Sequence, residues 1–263
     1  MTQLPRFPRA VVFNDLTSAE LNRDPHLRWP IEWNYQLAPS EKYRLFISRV
    51  AERIERLGLR VNIEHDFDAF ATETRRMDGY DEYVSPAFDP RYNDMSAERA
   101  FWLRVSEETG RLVACVAAKV FRFESAYDHI ADLSIWYDRD PSLPHADETI
   151  EMMADTTRHI GGTVSMTGRM WTHPRWRKRG LSSYLPLMAR TLLLSKYAVD
   201  FHFGLLSVEL VKKQVWLTRY GFTRVEPCVR VKPLGSARTL DLWTVWMSQA
   251  ELIADVDDAM SDG

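Results

Sequence analysis

Hydrophobic positions recur at helical spacing in several parts of the chain. In the segment 41–58 the apolar residues share one helical face, with Ser40 as the N-cap and Gly58 as the stop. The same reading predicts four more helices, over 67–77, 147–160, 181–197 and 208–220. These helices alternate with segments of a different period.

Alternating or continuous apolar runs of strand length fill most of the remaining chain. Two of them, within 100–123, flank the turn residues Glu108, Thr109 and Gly110, which is typical of a hairpin. Further strands are predicted over 59–65, 131–137, 163–173, 198–207, 222–231 and 239–248. The order of elements predicts an α+β fold, a mixed α/β sandwich with helices on the faces of one sheet.

The pattern divides the chain into a body and its attachments. Residues 1–58 are expected to form an N-terminal arm and one helix packed on the core. Residues 59–248 form the body, interrupted by an insert at 122–161. The segment 249–263 is acidic and is predicted to be a flexible tail. No internal repeat or low-complexity tract is present.

Composition narrows the classes of function. The 263 residues are 45% hydrophobic and 27% charged, with a net charge of −3, as in a soluble globular protein. This balance provides no general basic surface for nucleic acid or acidic lipid. Cys115 and Cys228 stand in apolar segments, which favours structural thiols over a metal site or a disulfide. No apolar run approaches membrane length, so we expect a cytoplasmic protein with no membrane partner. From the charge balance and the cysteines we also expect no nucleic-acid partner and no metal.

One short stretch concentrates positive charge, 174-PRWRKRGLSS-183. Four cationic side chains, Arg175, Arg177, Lys178 and Arg179, precede Gly180 and two serines where a helix is predicted to begin. Backbone N–H groups at a helix N-terminus attract anions, and small residues let an anion come close. The stretch therefore predicts an anion-binding loop, and the alternative is a solvated basic turn.

The same loop carries a family resemblance. The run from Thr172 to Ser182, with Pro174, Arg177 and Gly180 at their places, resembles the acetyl-CoA motif of the GCN5-related N-acetyltransferase (GNAT) superfamily. A second marker is similar, the helix end 215-VWLTRYGF-222. The resemblance covers about 59–248. It implies a mixed, mostly antiparallel sheet with splayed central strands, and an acyl-CoA-dependent N-acyltransferase that transfers acetyl directly to an amine.

The resemblance also implies site residues. Acetyl-CoA would be bound by Met170, Trp171 and Thr172 of the splayed strand and by the loop residues Arg177, Lys178, Arg179, Gly180, Leu181 and Ser182. Glu209 and His202 are the candidate general bases, with Glu124 and Asp132 as further choices; a capping carboxylate and a core histidine are the structural alternatives. The chain departs from the family at Leu217, where many members have a tyrosine that acts as general acid.

Several alternatives stay open at this stage. Arg169 is expected either to hold an acidic group of the acceptor or to pair with a carboxylate on the sheet. Trp136 and Tyr137 are candidates for an acceptor groove, whereas Trp102 is expected in the core. The acceptor is expected to be a small-molecule or peptide amine, with peptide, antibiotic, polyamine and small metabolite all open, and a homodimer is compatible with the sequence. The rival hypotheses are a non-catalytic acyl-CoA sensor on the same fold and an enzyme for longer acyl chains.

Overall fold

A computed structural model of the chain describes residues 41–77, 86–139, 149–218, 220–232 and 239–261. The strands are β1 (Arg60–Glu64), β2 (Ala100–Ser106), β3 (Leu112–Phe123), β4 (Thr149–Met152), β5 (Gly162–Thr172), β6 (Phe201–Ser207), β7 (Arg224–Lys232) and β8 (Leu240–Ser248). The α-helices are α1 (Glu41–Glu55), α2 (Phe67–Arg75), α3 (Ala126–Ala131), α4 (Leu181–Tyr197), α5 (Val208–Lys212), α6 (Val215–Thr218) and α7 (Gln249–Ser261). Short 3-10 helices cover Pro86–Phe88 and Pro174–Trp176.

All the strands join one eight-stranded sheet in the order β1-β2-β3-β5-β6-β8-β7-β4. The neighbours pair antiparallel, except β5 and β6, which are parallel. The predicted mixed, mostly antiparallel sheet is therefore confirmed. The parallel pair lies at the centre of the sheet, and it follows from the long connection through α4.

Helices cover both faces of the sheet. One apolar cluster contains Phe46 and Ile54 of α1, Leu192 of α4 and Leu252 of α7, packed on the first face. The second cluster, on the other face, includes Phe70 of α2 and residues of α3. The predicted helix on the core at 41–58 is confirmed, whereas the predicted arm before it lies outside the described residues.

The segment 249–261 corrects the prediction of a flexible acidic tail. It forms α7, and Leu252 and Val256 are each 1% exposed against the first cluster. Asp255 is also buried, where it forms a 2.7 Å ion pair with Arg190 of α4. The acidic composition hid an amphipathic helix whose apolar positions recur at helical spacing.

The insert also differs from its prediction. The predicted strand over 131–137 is wrong, because α3 ends at Ala131 and turns follow it. The predicted helix over 147–160 is wrong as well, because Thr149–Met152 forms β4. This short segment pairs with β7, Ile150 opposite Val231, so sheet pairing overrides local helix propensity. The insert therefore completes the edge of the sheet.

The predicted helix over 208–220 is divided into α5 and α6. Gln214, between them, has a left-handed backbone with φ of 53°, which interrupts a right-handed helix. The predicted helix is therefore interrupted before it reaches Tyr220. Within the described ranges, the helices are all too short or too polar to cross a lipid bilayer.

Candidate functional site

The two parallel strands at the centre of the sheet separate along their length. β5 and β6 pair at Val164 with Phe201, Ser165 with His202 and Met166 with Phe203. Beyond Met166, β5 continues beside β3, while β6 continues beside β8. A wedge-shaped gap therefore opens between their C-terminal halves. The predicted splaying of the central strands is confirmed.

A bulge in β5 lies at the opening of the gap. Gly168 pairs with Ala117 and Trp171 with Cys115, so Arg169 and Met170 together face a single residue of β3. Arg169 has a left-handed φ of 56°, which is uncommon for a residue other than glycine, and a bulge bends its strand. Gly168 is required next to it because a Cβ there would lie 2.5 Å from the Phe88 ring.

The basic loop follows β5 directly. Pro174–Trp176 forms a 3-10 turn, and Lys178 and Gly180 both have left-handed backbones, with φ of 65° and 84°. The first helical N–H that donates inside the turn is that of Ser183, to the Gly180 carbonyl at 2.9 Å. The preceding N–H groups of Leu181 and Ser182 therefore face out of the end of α4, where anions bind.

A cavity of about 460 Å³ opens above this loop. Eight of the nine residues predicted to bind acetyl-CoA line it: Met170, Trp171, Thr172, Arg177, Lys178, Gly180, Leu181 and Ser182. The exception is Arg179, whose guanidinium stacks over the Trp176 ring at 4.8 Å. Since the Leu181 side chain is 1% exposed in the core, this residue contributes its backbone to the cavity.

A second cavity, of about 160 Å³, continues from the first into the gap between the strands. The two cavities share Met170 and Tyr220. The second is bordered by the bulge on one side, by Gly204 and Leu205 of β6 on the other, and by Pro186 of α4. The two adjacent cavities extend from the basic loop to the middle of the sheet, and together we call them the loop channel.

Tyr220 lines the site, although a continuous helix over 208–220 would place it on a different face from Leu217. The position expected from the family, Leu217, is 36% exposed on α6 and lines neither part of the loop channel. Tyr220 lines both parts because the helix breaks before it. Its carbonyl accepts a hydrogen bond from Arg190, the partner of Asp255 in the buried ion pair. The position of Tyr220 depends on the left-handed backbone of Gln214, and a φ angle cannot be read from the sequence.

A third cavity, of about 230 Å³, meets the gap from the opposite face of the sheet. It shares Thr167, Gly168, Arg169 and Leu205 with the loop channel. Its other walls are largely apolar: Pro86, Ala87, Phe88, Leu133, Trp136, Tyr137, Met166, Val231, Leu240 and Leu242. We call it the apolar pocket. It contains Trp136 and Tyr137, as predicted for an acceptor groove, while Trp102 is buried in the core.

His202, a predicted base, lies inside the protein. It is 0% exposed, and its Nδ1 and Nε2 lie 2.9 Å and 3.2 Å from the hydroxyls of Ser165 and Thr167. Its ring stacks on Phe222. Burial, and then the charge of Arg190, hold the pKa of His202 well below its ordinary range. A base must reach the proton that it removes, and His202 lines neither the apolar pocket nor the loop channel, so its position fits a structural role.

The predicted carboxylate bases lie outside the described cavities too. Glu209 is exposed in the first turn of α5, where a hydrogen bond from its own backbone N–H and one from Ser207 lower its pKa. Glu124 and Asp132 are exposed as well. None of these side chains lines the loop channel or the apolar pocket. The structure therefore does not bring the predicted bases to the gap.

The two cysteines are buried, as expected for structural thiols. Burial raises the pKa of Cys115 and of Cys228 to about 12, so both stay protonated at neutral pH. The Cys115 thiol donates to the Arg169 carbonyl at 3.6 Å and so supports the bulge from below. Among the described residues, no group of His, Cys, Asp or Glu is arranged to hold a metal ion.

Comparisons with known proteins found similarity in solved structures alone. No protein-family model matches the sequence, and no curated protein matches it. NAA60 of Arabidopsis thaliana, solved with acetyl-CoA, is 12% identical with a TM-score of 0.45, over 72% of this chain and 99% of that chain. A chimera of the spermidine N-acetyltransferase SpeG of Vibrio cholerae and hSSAT is 12% identical, with a TM-score of 0.42, over 74% and 98%. A GNAT-family acetyltransferase of Streptococcus pneumoniae is 10% identical with a TM-score of 0.40, over 72% and 99%.

Proposed function

We propose that this chain is an acyl-CoA-dependent N-acyltransferase that uses acetyl-CoA and passes the acetyl group directly to an amine. One observation carries the proposal: the loop channel runs from an anion-binding helix terminus to a gap in the sheet, and a second pocket meets the same gap from the other face. Two substrates can thus meet through the sheet while each is held on its own side.

The loop end of the channel suits a diphosphate. It offers the N–H groups of Leu181 and Ser182, the positive end of the α4 dipole, and the side chains of Arg177 and Lys178. The narrower part suits an extended arm, because β5 and β6 do not pair beyond Met166 and a gap lies between them. A thioester at the end of that arm would lie beside the bulge.

The transfer requires no covalent bond to the protein. The amine nitrogen forms a bond to the thioester carbonyl carbon and the carbon–sulfur bond breaks. The nitrogen then loses one proton to water, and the leaving thiolate takes up one proton. Negative charge that develops on the carbonyl oxygen requires hydrogen-bond donors beside the gap. We assign the proton donor to Tyr220, because it lines the channel at the place where the loop end and the gap meet. The buried cysteines take no part.

The second candidate function is a non-catalytic acyl-CoA sensor. It is favoured by one observation: the described residues that line the gap and the apolar pocket include no carboxylate and no imidazole to act as a base. The hypothesis of a longer acyl chain stays a prediction.

Calorimetry and a thiol assay test the proposal together. We expect the purified chain to bind coenzyme A and acetyl-CoA, and to release free thiol from acetyl-CoA when an amine acceptor is present. Binding without thiol release for any amine would favour the sensor. An absence of heat with either compound would overturn both functions, because both depend on the loop channel.

A further inference from the structure

We propose that the acceptor is a compact primary amine carried on an apolar or aromatic group, which enters the apolar pocket, and that polyamines are poor acceptors. This inference rests on the proposed function, because it assigns the second substrate of the same site. It depends on the chemistry, size and rigidity of the apolar pocket, taken in turn below.

The charge of the pocket is unsuited to a polycation. Of the described residues that line it, Arg169 is the one with a charged side chain, and none is a carboxylate. A polyamine that enters would bring further ammonium groups into an apolar space without a counter-charge, which is costly. An apolar or aromatic group, in contrast, gains free energy by burial against Phe88, Trp136 and Leu242, and can stack on the aromatic rings.

The size of the pocket limits the acceptor. A cavity of about 150 Å³ with apolar walls accepts a benzene molecule, and this pocket has a volume of about 230 Å³. One aromatic ring with a short aminoalkyl arm therefore fills it. The amine end of such a molecule points to the gap, where Thr167, Gly168 and Leu205 belong to both the apolar pocket and the loop channel.

Hydrogen bonds from Asn93 hold two walls of the pocket in place. Asn93 is 0% exposed, and its amide donates to the carbonyls of Pro86 and Trp136, the latter at 2.6 Å. Both acceptor residues line the pocket. Lys119, also 0% exposed, donates to the Asn93 carbonyl at 2.6 Å and pairs with Asp138 at 2.9 Å. These contacts fix the loops that line the pocket to β3, so the pocket has a defined shape.

The same surroundings explain how the amine can react without a carboxylate base. An apolar pocket disfavours the ammonium form of its ligand by desolvation, and the positive charge of Arg169 disfavours it further. The amine therefore loses its proton to water on entry and reaches the gap as the free nucleophile. This removes the need for Glu209 or His202 as a base.

The test measures thiol release from acetyl-CoA with 2-phenylethylamine, tryptamine, putrescine and spermidine as acceptors. We expect kcat/KM for the two aromatic amines to exceed that for the two polyamines by at least about tenfold, which corresponds to about 1.4 kcal/mol. Equal kcat/KM values for aromatic amines and polyamines, or a preference for spermidine, would overturn the inference. Thiol release with any of these amines would still support the proposed function. Absence of coenzyme A binding in calorimetry would overturn both.

Two variants locate the effect. Leu242→Asp places a carboxylate in the pocket and should lower kcat/KM for 2-phenylethylamine at least tenfold while narrowing the preference over putrescine. The matched control is Leu217→Asp, an exposed leucine outside the described cavities, which should leave the preference unchanged.

Trp136→Ala serves as a second pocket variant and should raise KM for tryptamine. Each variant must bind coenzyme A with the affinity of the unaltered protein, which shows that it is folded. A preference that stays the same in both folded pocket variants would place the acceptor elsewhere and overturn the inference.

Discussion

The loop channel and the apolar pocket meet at the same gap, but they differ in almost every physical property. The loop end of the loop channel is formed mainly by the continuous segment 170–183 and offers backbone N–H groups with cationic side chains. The apolar pocket is assembled from several separate segments of the chain, and its walls are mainly hydrophobic side chains. Each contains groups of the kind that its proposed ligand requires. The loop channel offers polar backbone groups and cationic side chains to an anion, and the apolar pocket offers hydrophobic walls to the acceptor.

A buried ion pair supports each of them. On the channel side, Arg190 and Asp255 join α4 to α7, and Arg190 also holds the carbonyl of Tyr220. On the pocket side, Lys119 and Asp138 join β3 to the loop that bears Trp136 and Tyr137. The comparison teaches that the two sides can be perturbed separately, and the following predictions exploit this.

The largest effect is expected from Asp255→Ala. The change leaves the buried Arg190 guanidinium without its carboxylate, which typically costs about 3–5 kcal/mol. We expect the free energy of unfolding, measured in urea, to fall by this amount. Asp241, which forms a surface ion pair with Arg230, gives the control, because Asp241→Ala should change the free energy of unfolding far less than Asp255→Ala does. Equal costs for the two changes would mean that α7 does not pack as described.

Lys119 should make stability on the pocket side depend on pH. Burial, partly offset by Asp138, lowers its pKa from 10.5 to about 8. Between these values the unfolded chain binds more protons than the folded one, so stability rises with pH. Relative to Lys119→Met, the unaltered protein should gain at most about 3 kcal/mol over this range. Urea unfolding at stepped pH checks this, and parallel curves for the two proteins would contradict it.

Gly180→Val should weaken coenzyme A binding selectively. The left-handed φ of 84° disfavours a β-branched residue, and a Cβ would lie 2.6 Å from the Tyr184 ring. We expect a loss of about 1–3 kcal/mol, or roughly 5- to 150-fold in Kd. Gly58→Val is the control, since Gly58 has a φ of 76° but lies at the end of α1 with open space around its Cβ position. Calorimetry should show that Gly58→Val binds coenzyme A with normal affinity. An equal loss of affinity in both variants would show that the loop at Gly180 does not bind coenzyme A.

The smallest effect is expected from Tyr220→Phe, which removes the proposed proton donor and keeps the ring. We expect kcat to fall about tenfold, equivalent to about 1.4 kcal/mol, with little change in Kd for coenzyme A. A change in Kd alone would show that Tyr220 only lines the channel. The alkaline limb of the pH–rate profile should also shift or disappear in this variant.

The sequence predicted the loop channel far better than the apolar pocket, for a physical reason. Backbone chemistry at Gly180 and the helix start is encoded in adjacent residues, so a motif displays it. The apolar pocket depends on which loops the sheet brings together, and the strand predicted over 131–137 was wrong in that region. The sequence did not identify Tyr220 as a site residue, because a single left-handed residue, Gln214, divides the helix predicted over 208–220.

The tail and the bases illustrate the limits of composition. Acidic residues around Asp255 suggested a solvated tail, although one of them neutralises a buried arginine. His202 and Glu209 were chosen as candidate bases by residue type. In the structure His202 is buried inside the protein and Glu209 lies on the exposed surface, so neither side chain lines the gap.

A crystal structure of the protein with coenzyme A would test the account most directly. We predict the diphosphate at the N–H groups of Leu181 and Ser182, and the sulfur in the gap between Arg169 and Leu205, facing the apolar pocket. Coenzyme A bound elsewhere, or a sulfur pointing away from the gap, would contradict the account.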